Sequence, residues 1–218
     1  MRKRYFLLCS ALLLAAVVAA ILCYPHVPAR VPIHWDLQGN ANGYGPPWSI
    51  FLVGPGTMAL TIGIFALLPW LSPRRFEVEP FLATYLHIML LLVVLLGYLF
   101  AVILVGTLAT PVDVGRAAIG GVAVLIAFMG NVLGKVKRNF FIGIRTPWTL
   151  ASERVWHATH RLAGRLMVVT GLAGLLVVVA GAPSAVVVGL LVAGPLVAAL
   201  YSLVYYKQLA GRGELETR

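Results

Sequence analysis

Of the 218 residues, 61% are apolar and only 11% charged, less than half the roughly 25% typical of a soluble domain. Mean hydropathy is +0.94. A soluble globule of this size lacks the interior to hide so much apolar surface, and the same composition excludes a disordered chain. A net charge of +10 raises nucleic-acid binding, a reading that the placement of the charges removes.

The apolar runs are long and continuous, unlike the alternating segments of about 10 residues that build outer-membrane barrels. At about 20 residues per span they predict an all-α, polytopic bundle of six transmembrane helices, over 5–23, 48–70, 81–108, 117–133, 166–181 and 183–206. The first run follows Met1-Arg2-Lys3-Arg4 and has the look of a signal peptide, with Val18-Ala19-Ala20 as a candidate cleavage site. Leu22 before Cys23 is too large for a lipobox, and we read the run as a retained anchor. Cys9 and Cys23 are fourteen helical residues apart, about 21 Å, too far for a disulfide. The expected units are a two-span piece over 1–72 with an outer loop at 24–47, a third span within 73–110, and a three-span region over 111–218 with an inner loop at 134–165.

With the N-terminus inside, the cytoplasmic segments carry 15 of the 17 Lys and Arg residues, leaving only Arg30 and Arg116 outside. This is the positive-inside pattern, and it places both termini in the cytoplasm. No basic stretch forms a separate domain, so no direct nucleic-acid contact is expected.

In the outer loop Pro25, Pro28 and Pro32 impose extended backbone. Ile33, Trp35 and Leu37 alternate with His34 and Asp36, a short strand pattern, and residues 39–43 (Gly-Asn-Ala-Asn-Gly) are turn chemistry. Trp35 and Tyr44 suit the headgroup level. His26, His34 and Asp36 have the ligand types for a metal but no recognised spacing, and we read them as a solvated loop. At the third span, His87 lies about 9 Å in from the start. An ionisable residue at that depth is either a proton relay or a neutral ring bonded to a carbonyl.

The inner loop is the most unusual stretch. Asn131 and Asn139 flank Lys135, Lys137 and Arg138, while Gly143 and Thr146-Pro147 break any helix. Thr149 or Ser152 can cap a new one. On a helix over 150–165, Arg154, Arg161 and Arg165 fall within about 40° of one another beside an apolar side, which predicts an interfacial helix over 150–164 outside the spans. Glu153, His157 and His160 form an adjacent stripe whose order differs from zinc-binding helices, and we expect no metal there.

Asn139-Phe140-Phe141-Ile142-Gly143-Ile144-Arg145-Thr146-Pro147-Trp148-Thr149-Leu150, with Val155-Trp156 and Thr159-His160-Arg161, resembles the signature of the SdpI family. Tyr24-Pro25, Val31-Pro32-Ile33-His34-Trp35-Asp36 and Gly39 resemble the domain of unknown function that often precedes it. Arg138 stands where the family often has proline. The resemblance implies a non-enzymatic, multi-pass protein of the bacterial cytoplasmic membrane that confers immunity to a secreted killing peptide and signals by holding a transcriptional repressor at the membrane. Candidate ligand and partner residues are then Asn131, Lys135, Asn139, Gly143, Arg145, Thr146, Pro147, Trp148, Thr149, Trp156, His160 and Arg161 inside, His34 and Trp35 outside, and His87 within the membrane. Membrane lipids are the remaining expected partner, and no cofactor is expected. Arg145 either grips a phosphate or partner carboxylate or neutralises a lipid headgroup. The competing functional readings are a small transporter using His87 and a lipid-acting enzyme holding phosphate with Lys135, Arg145 and His160. The lack of buried acids weighs against the first and the lack of a carboxylate pair against the second.

Overall fold

The computed structural model describes residues 1–36, 39–73, 77–108 and 112–215. Leu37, Arg74, Arg75 and Arg218, on which parts of the strand and charge patterns rest, lie outside the described residues. Among the described residues six helices are long and apolar enough to cross a membrane, and the protein is a multi-pass helical bundle. The first is α1 (Arg2–Cys23), continued by a 3-10 turn at Tyr24–His26. The second comprises α2 (Ser49–Phe51), a π-helical turn at Leu52–Gly56 and α3 (Thr57–Leu71). Then come α4 (Leu82–Leu108), α5 (Val114–Leu133), the short α6 (Pro147–Ala151), α7 (Glu153–Val179) and α8 (Ser184–Gly211).

The π turn falls on Gly54-Pro55-Gly56, where Pro55 has no N–H to give the regular ladder. The Thr57 hydroxyl donates to the carbonyls of Val53 (2.8 Å) and Gly54 (2.9 Å), satisfying groups that the irregular turn loosens. Pro195 is accommodated inside an unbroken α8.

The main buried cluster runs through both halves of the bundle. In the N-terminal half, α1 turns its small buried residues Cys9, Ala16 and Ala20 inward. Tyr85 of α4, fully buried, donates to the Phe65 carbonyl of α3 at 2.8 Å and stacks at a tilt on the Phe65 ring, with centroids 4.8 Å apart. In the C-terminal half, α7 packs most extensively against α5 and α8. The α5–α7 approach is backbone on backbone: a Cβ on Gly164 would come 2.6 Å from the Gly130 carbonyl, and one on Gly171 would come 2.7 Å from the Ala127 nitrogen. Small residues let two membrane helices close to this distance, where dispersion replaces the missing hydrophobic drive.

Alternation of the six helices brings residues 1–4, 77–82, 134–152 and the end of α8 to one end of the bundle. Arg2 pairs with Glu79, and Arg154 meets the Glu214 carboxylate at 3.2 Å. The opposite end carries an antiparallel hairpin of β1 (Val31–Trp35) and β2 (Ala41–Gly45). Its connection seats Gly39 (φ +85°) against Gly115 at the start of α5. Asp113 caps that helix, accepting from the Arg116 N–H at 2.9 Å.

Two expectations need correcting. Residues 41–43 belong to the second strand of the hairpin and are not a turn; ahead of them the Asp36 carbonyl and carboxylate accept from the Gly39 and Asn40 N–H groups. The stretch 150–164 is likewise no separate interfacial helix. Residues 153–179 form one unbroken helix, so the arginine stripe is the first part of the fifth membrane helix itself. Nothing between Arg161 and Leu166 breaks a helix, and Gly164, the weak point by propensity, is fixed by its contact with Gly130. At 1.5 Å per residue this helix is about 40 Å long, beyond the roughly 30 Å hydrocarbon layer, which leaves its first turns for the interface.

Candidate functional site

The stretch between α5 and α7 is not a floating loop. Residues 136–152 fold into a small crown on the end of the bundle, held by side chains from its own sequence. Its first knot is Asn139, which is fully buried. The side-chain oxygen accepts from the N–H groups of Phe141 and Ile142, each at 2.7 Å, and the side-chain nitrogen donates to the carbonyls of Lys137 (2.8 Å) and Ile142 (3.1 Å). One amide thereby completes four hydrogen bonds in a tight turn that has no secondary structure to satisfy it.

The second knot is His160 on α7, also fully buried. Its Nδ1 lies 2.7 Å from the Trp156 carbonyl and its Nε2 accepts from the Ile144 N–H at 3.0 Å. A carbonyl on one side and an N–H on the other define the tautomer with the proton on Nδ1. Trp156 stacks on the imidazole (centroids 4.0 Å, planes 20° apart) and donates through Nε1 to the Val136 carbonyl at 2.7 Å. Gly143 reaches over the ring with φ +110°, and a Cβ there would fall on Nε2. The third knot is a capping box at the start of α6: the Thr146 hydroxyl accepts from the Thr149 N–H (3.2 Å), and the Thr149 hydroxyl accepts from the Thr146 N–H (2.9 Å). Ser152 then caps α7.

Sequence reasoning put Asn139, Gly143, Thr146, Thr149, Trp156 and His160 together, and the structure brings these six into one framework. Their polar atoms are taken up in building the crown. What the crown presents outward is Lys137, Phe140, Arg145, Pro147 and Ala151, all exposed, with Trp148 half-buried. Arg145 donates to the Phe140 carbonyl, which fixes its guanidinium across the exposed turn. Lys135 is exposed at the crown's edge near Met1 and Glu79. Asn131 and Arg161 line a separate cleft on the flank.

Three of the predicted residues are elsewhere. His34 and Trp35 belong to the hairpin at the far end, where His34 Nδ1 lies 2.6 Å from the Asn42 side-chain oxygen. His87 is half-buried on α4, outside the crown. Among the described residues no group of three His, Cys, Asp or Glu side chains lies close enough to hold a metal ion.

Two residues outside the candidate set matter here. Arg138 donates to the Leu150 carbonyl at 3.2 Å and pairs with Glu153 at 3.6 Å, tying both strands of the crown to the start of α7. Ser202 of α8 sits 3.0 Å from the Thr146 hydroxyl. A serine 56 residues away in an apolar run gives no signal in the sequence.

At the opposite end, an apolar groove of about 780 Å³ opens between α4, α5 and α7, with Tyr98 and Arg116 near its mouth.

Comparisons with known proteins find two family models and one relative. Residues 135–206 match the model of the SdpI/YfhL protein family, and residues 11–59 match that of a domain of unknown function, DUF1648. Immunity protein SdpI of Bacillus subtilis (strain 168) is 29% identical over 154 residues, covering 71% of this chain and 72% of that one. No solved structure matches the chain. The first of these matches covers the crown from Lys135 onward with the two helices that carry it, and the similarity to the immunity protein extends over 71% of the chain.

Proposed function

We propose that this protein is an immunity protein of the bacterial cytoplasmic membrane, protecting the cell from a secreted membrane-active peptide. The observation that carries the reading is its similarity to an immunity protein along most of both chains. The crown end faces the cytoplasm: the described Lys and Arg residues other than Arg30 and Arg116 belong to segments at that end, as the positive-inside rule requires. The hairpin and the outer end of the helices meet the peptide. The crown meets a cytosolic protein, in the manner of a repressor held at the membrane, through Arg145, Phe140 and Trp148. Crown rigidity supports this role, since a preordered surface loses less entropy on binding. The protein acts by binding and carries out no chemistry.

The test is deletion of the gene followed by challenge with a panel of membrane-active peptides. Loss of resistance to one peptide, restored by the wild-type gene, is expected; unchanged resistance to the whole panel refutes immunity. Arg145→Lys then separates the two roles of that residue. It keeps the charge and loses the planar fork. Normal insertion with lost signalling in a reporter assay assigns Arg145 to a specific partner, and full function assigns it to a lipid headgroup.

A further inference from the structure

Beside the crown, on the flank of the bundle where α5 and α7 touch backbone to backbone, lies an open cleft of about 450 Å³. Arg161 and Arg165 form one wall and Asn131 the other, and all three side chains are exposed. Below the arginines the wall turns apolar, at Val168 and the exposed Val169. We propose that this cleft binds the phosphodiester headgroup of an anionic phospholipid.

Arg161 and Arg165 stand one turn apart on the same helical face, about 6 Å between Cβ atoms, so both guanidinium groups can reach one phosphate, each with paired N–H donors. Among the described residues no carboxylate lies within ion-pair distance of either, although Arg116, Arg138 and Arg154 each have one. Two neighbouring guanidinium charges are therefore uncompensated at this cleft. Asn131 adds an amide that can donate to a phosphate or glycerol oxygen. The contact of Gly130 with Gly164 closes the cleft floor with backbone alone, so no side chain there fills the space between Asn131 and the arginines.

The gradient along α7 favours a lipid over a soluble anion. The cleft passes from two cations to valine within one turn, and Leu166 begins the apolar run of the fifth span. A phospholipid presents phosphate and hydrocarbon in the same order. The inference concerns the membrane around the protein and does not depend on the immunity reading.

The experiment uses the full chain in uncharged detergent, with short-chain phosphatidylglycerol, short-chain phosphatidylcholine and inorganic phosphate as probes, and native mass spectrometry to measure bound lipid. Phosphatidylglycerol is expected to bind at least tenfold tighter than phosphatidylcholine, with no adduct from phosphate at equal concentration. Arg161→Gln/Arg165→Gln is expected to weaken phosphatidylglycerol by about thirtyfold, from two charge contacts, and Asn131→Ala by a smaller factor. Arg212→Gln, an exposed basic residue away from the cleft, should bind as the wild type does. Because the three cleft residues are exposed, unfolding midpoints without lipid should match, which separates lost binding from lost folding. Equal affinity for the two lipids, wild-type binding by the double variant, or equal losses in the double variant and Arg212→Gln would overturn the proposal. Phosphate binding as tightly as phosphatidylglycerol would assign the cleft to a soluble anion instead and overturn it too.

Discussion

Gly143→Ala tests whether the crown is a built framework or a loosely draped loop. Gly143 has φ +110°, a region that residues with a Cβ reach only at a cost of about 1–3 kcal/mol. The methyl would also fall on Nε2 of His160 and stand 3.0 Å from its Cδ2. The ring cannot yield cheaply: it is fully buried, stacked on Trp156 and bonded at both nitrogens. Displacing it breaks the Ile144–His160 hydrogen bond, and an orphaned buried group costs a further 1–3 kcal/mol or so. The expected loss is about 2–6 kcal/mol, a large share of the roughly 5–15 kcal/mol that holds a typical domain. Reversible unfolding in mixed micelles, with membrane insertion checked separately, measures it. The cycle with His160→Ala separates the two contributions, because removing the ring removes the clash but leaves the backbone strain. The double variant should therefore be more stable than the sum of the single losses by at least 1 kcal/mol or so. A Gly143→Ala protein within about 0.5 kcal/mol of wild type, or single losses that simply add, would refute the reasoning.

Four other outcomes follow from the same geometry. Asn139→Ala removes four hydrogen bonds from a buried turn and should cost about 2–4 kcal/mol in the same unfolding assay, with faster proteolysis within 136–146. Gly164→Ala forces α5 and α7 apart at a 2.6 Å approach; a loss of roughly 1–3 kcal/mol is expected, against the usual benefit of alanine in a helix. Thr159→Val should be neutral or stabilising by up to about 1 kcal/mol, since the Thr159 hydroxyl is buried without a partner among the described residues. In a protein with Cys9 and Cys23 replaced by alanine, a cysteine at Asn40 should react with an impermeant thiol reagent in intact cells and one at Lys137 only after lysis; the reverse pattern would invert the proposed orientation.

Much of the architecture was legible in the sequence because the bilayer simplifies the problem. Hydrocarbon tolerates only backbone that bonds to itself, so each continuous apolar run had to be a helix, and the six runs reappear as six long helices. The breakers were legible too: Gly54-Pro55-Gly56 became the π turn, and Gly143 and Thr146-Pro147 interrupted the chain where expected. The arginine stripe misled because periodicity reports which side of a helix is charged and not where the helix stops. In the structure one helix runs from Glu153 through to Val179, with Gly164 packed against Gly130.

For the crown, the sequence by itself determined which residues belong together, while only the tertiary structure decided what they do. Asn139, Thr146 and Thr149 act over two to five residues, and such local bonds follow from side-chain chemistry and turn propensity. His160 with Ile144, Trp156 with Val136 and Thr146 with Ser202 are separated by 16, 20 and 56 residues. Bonds of that range depend on how α7 and α8 are rotated and how closely they pack, which is set by shape along the whole helix and leaves no mark in any short window. His160, a candidate ligand residue by sequence, ties the crown to α7 through both ring nitrogens, because packing placed a carbonyl at one and a backbone N–H at the other.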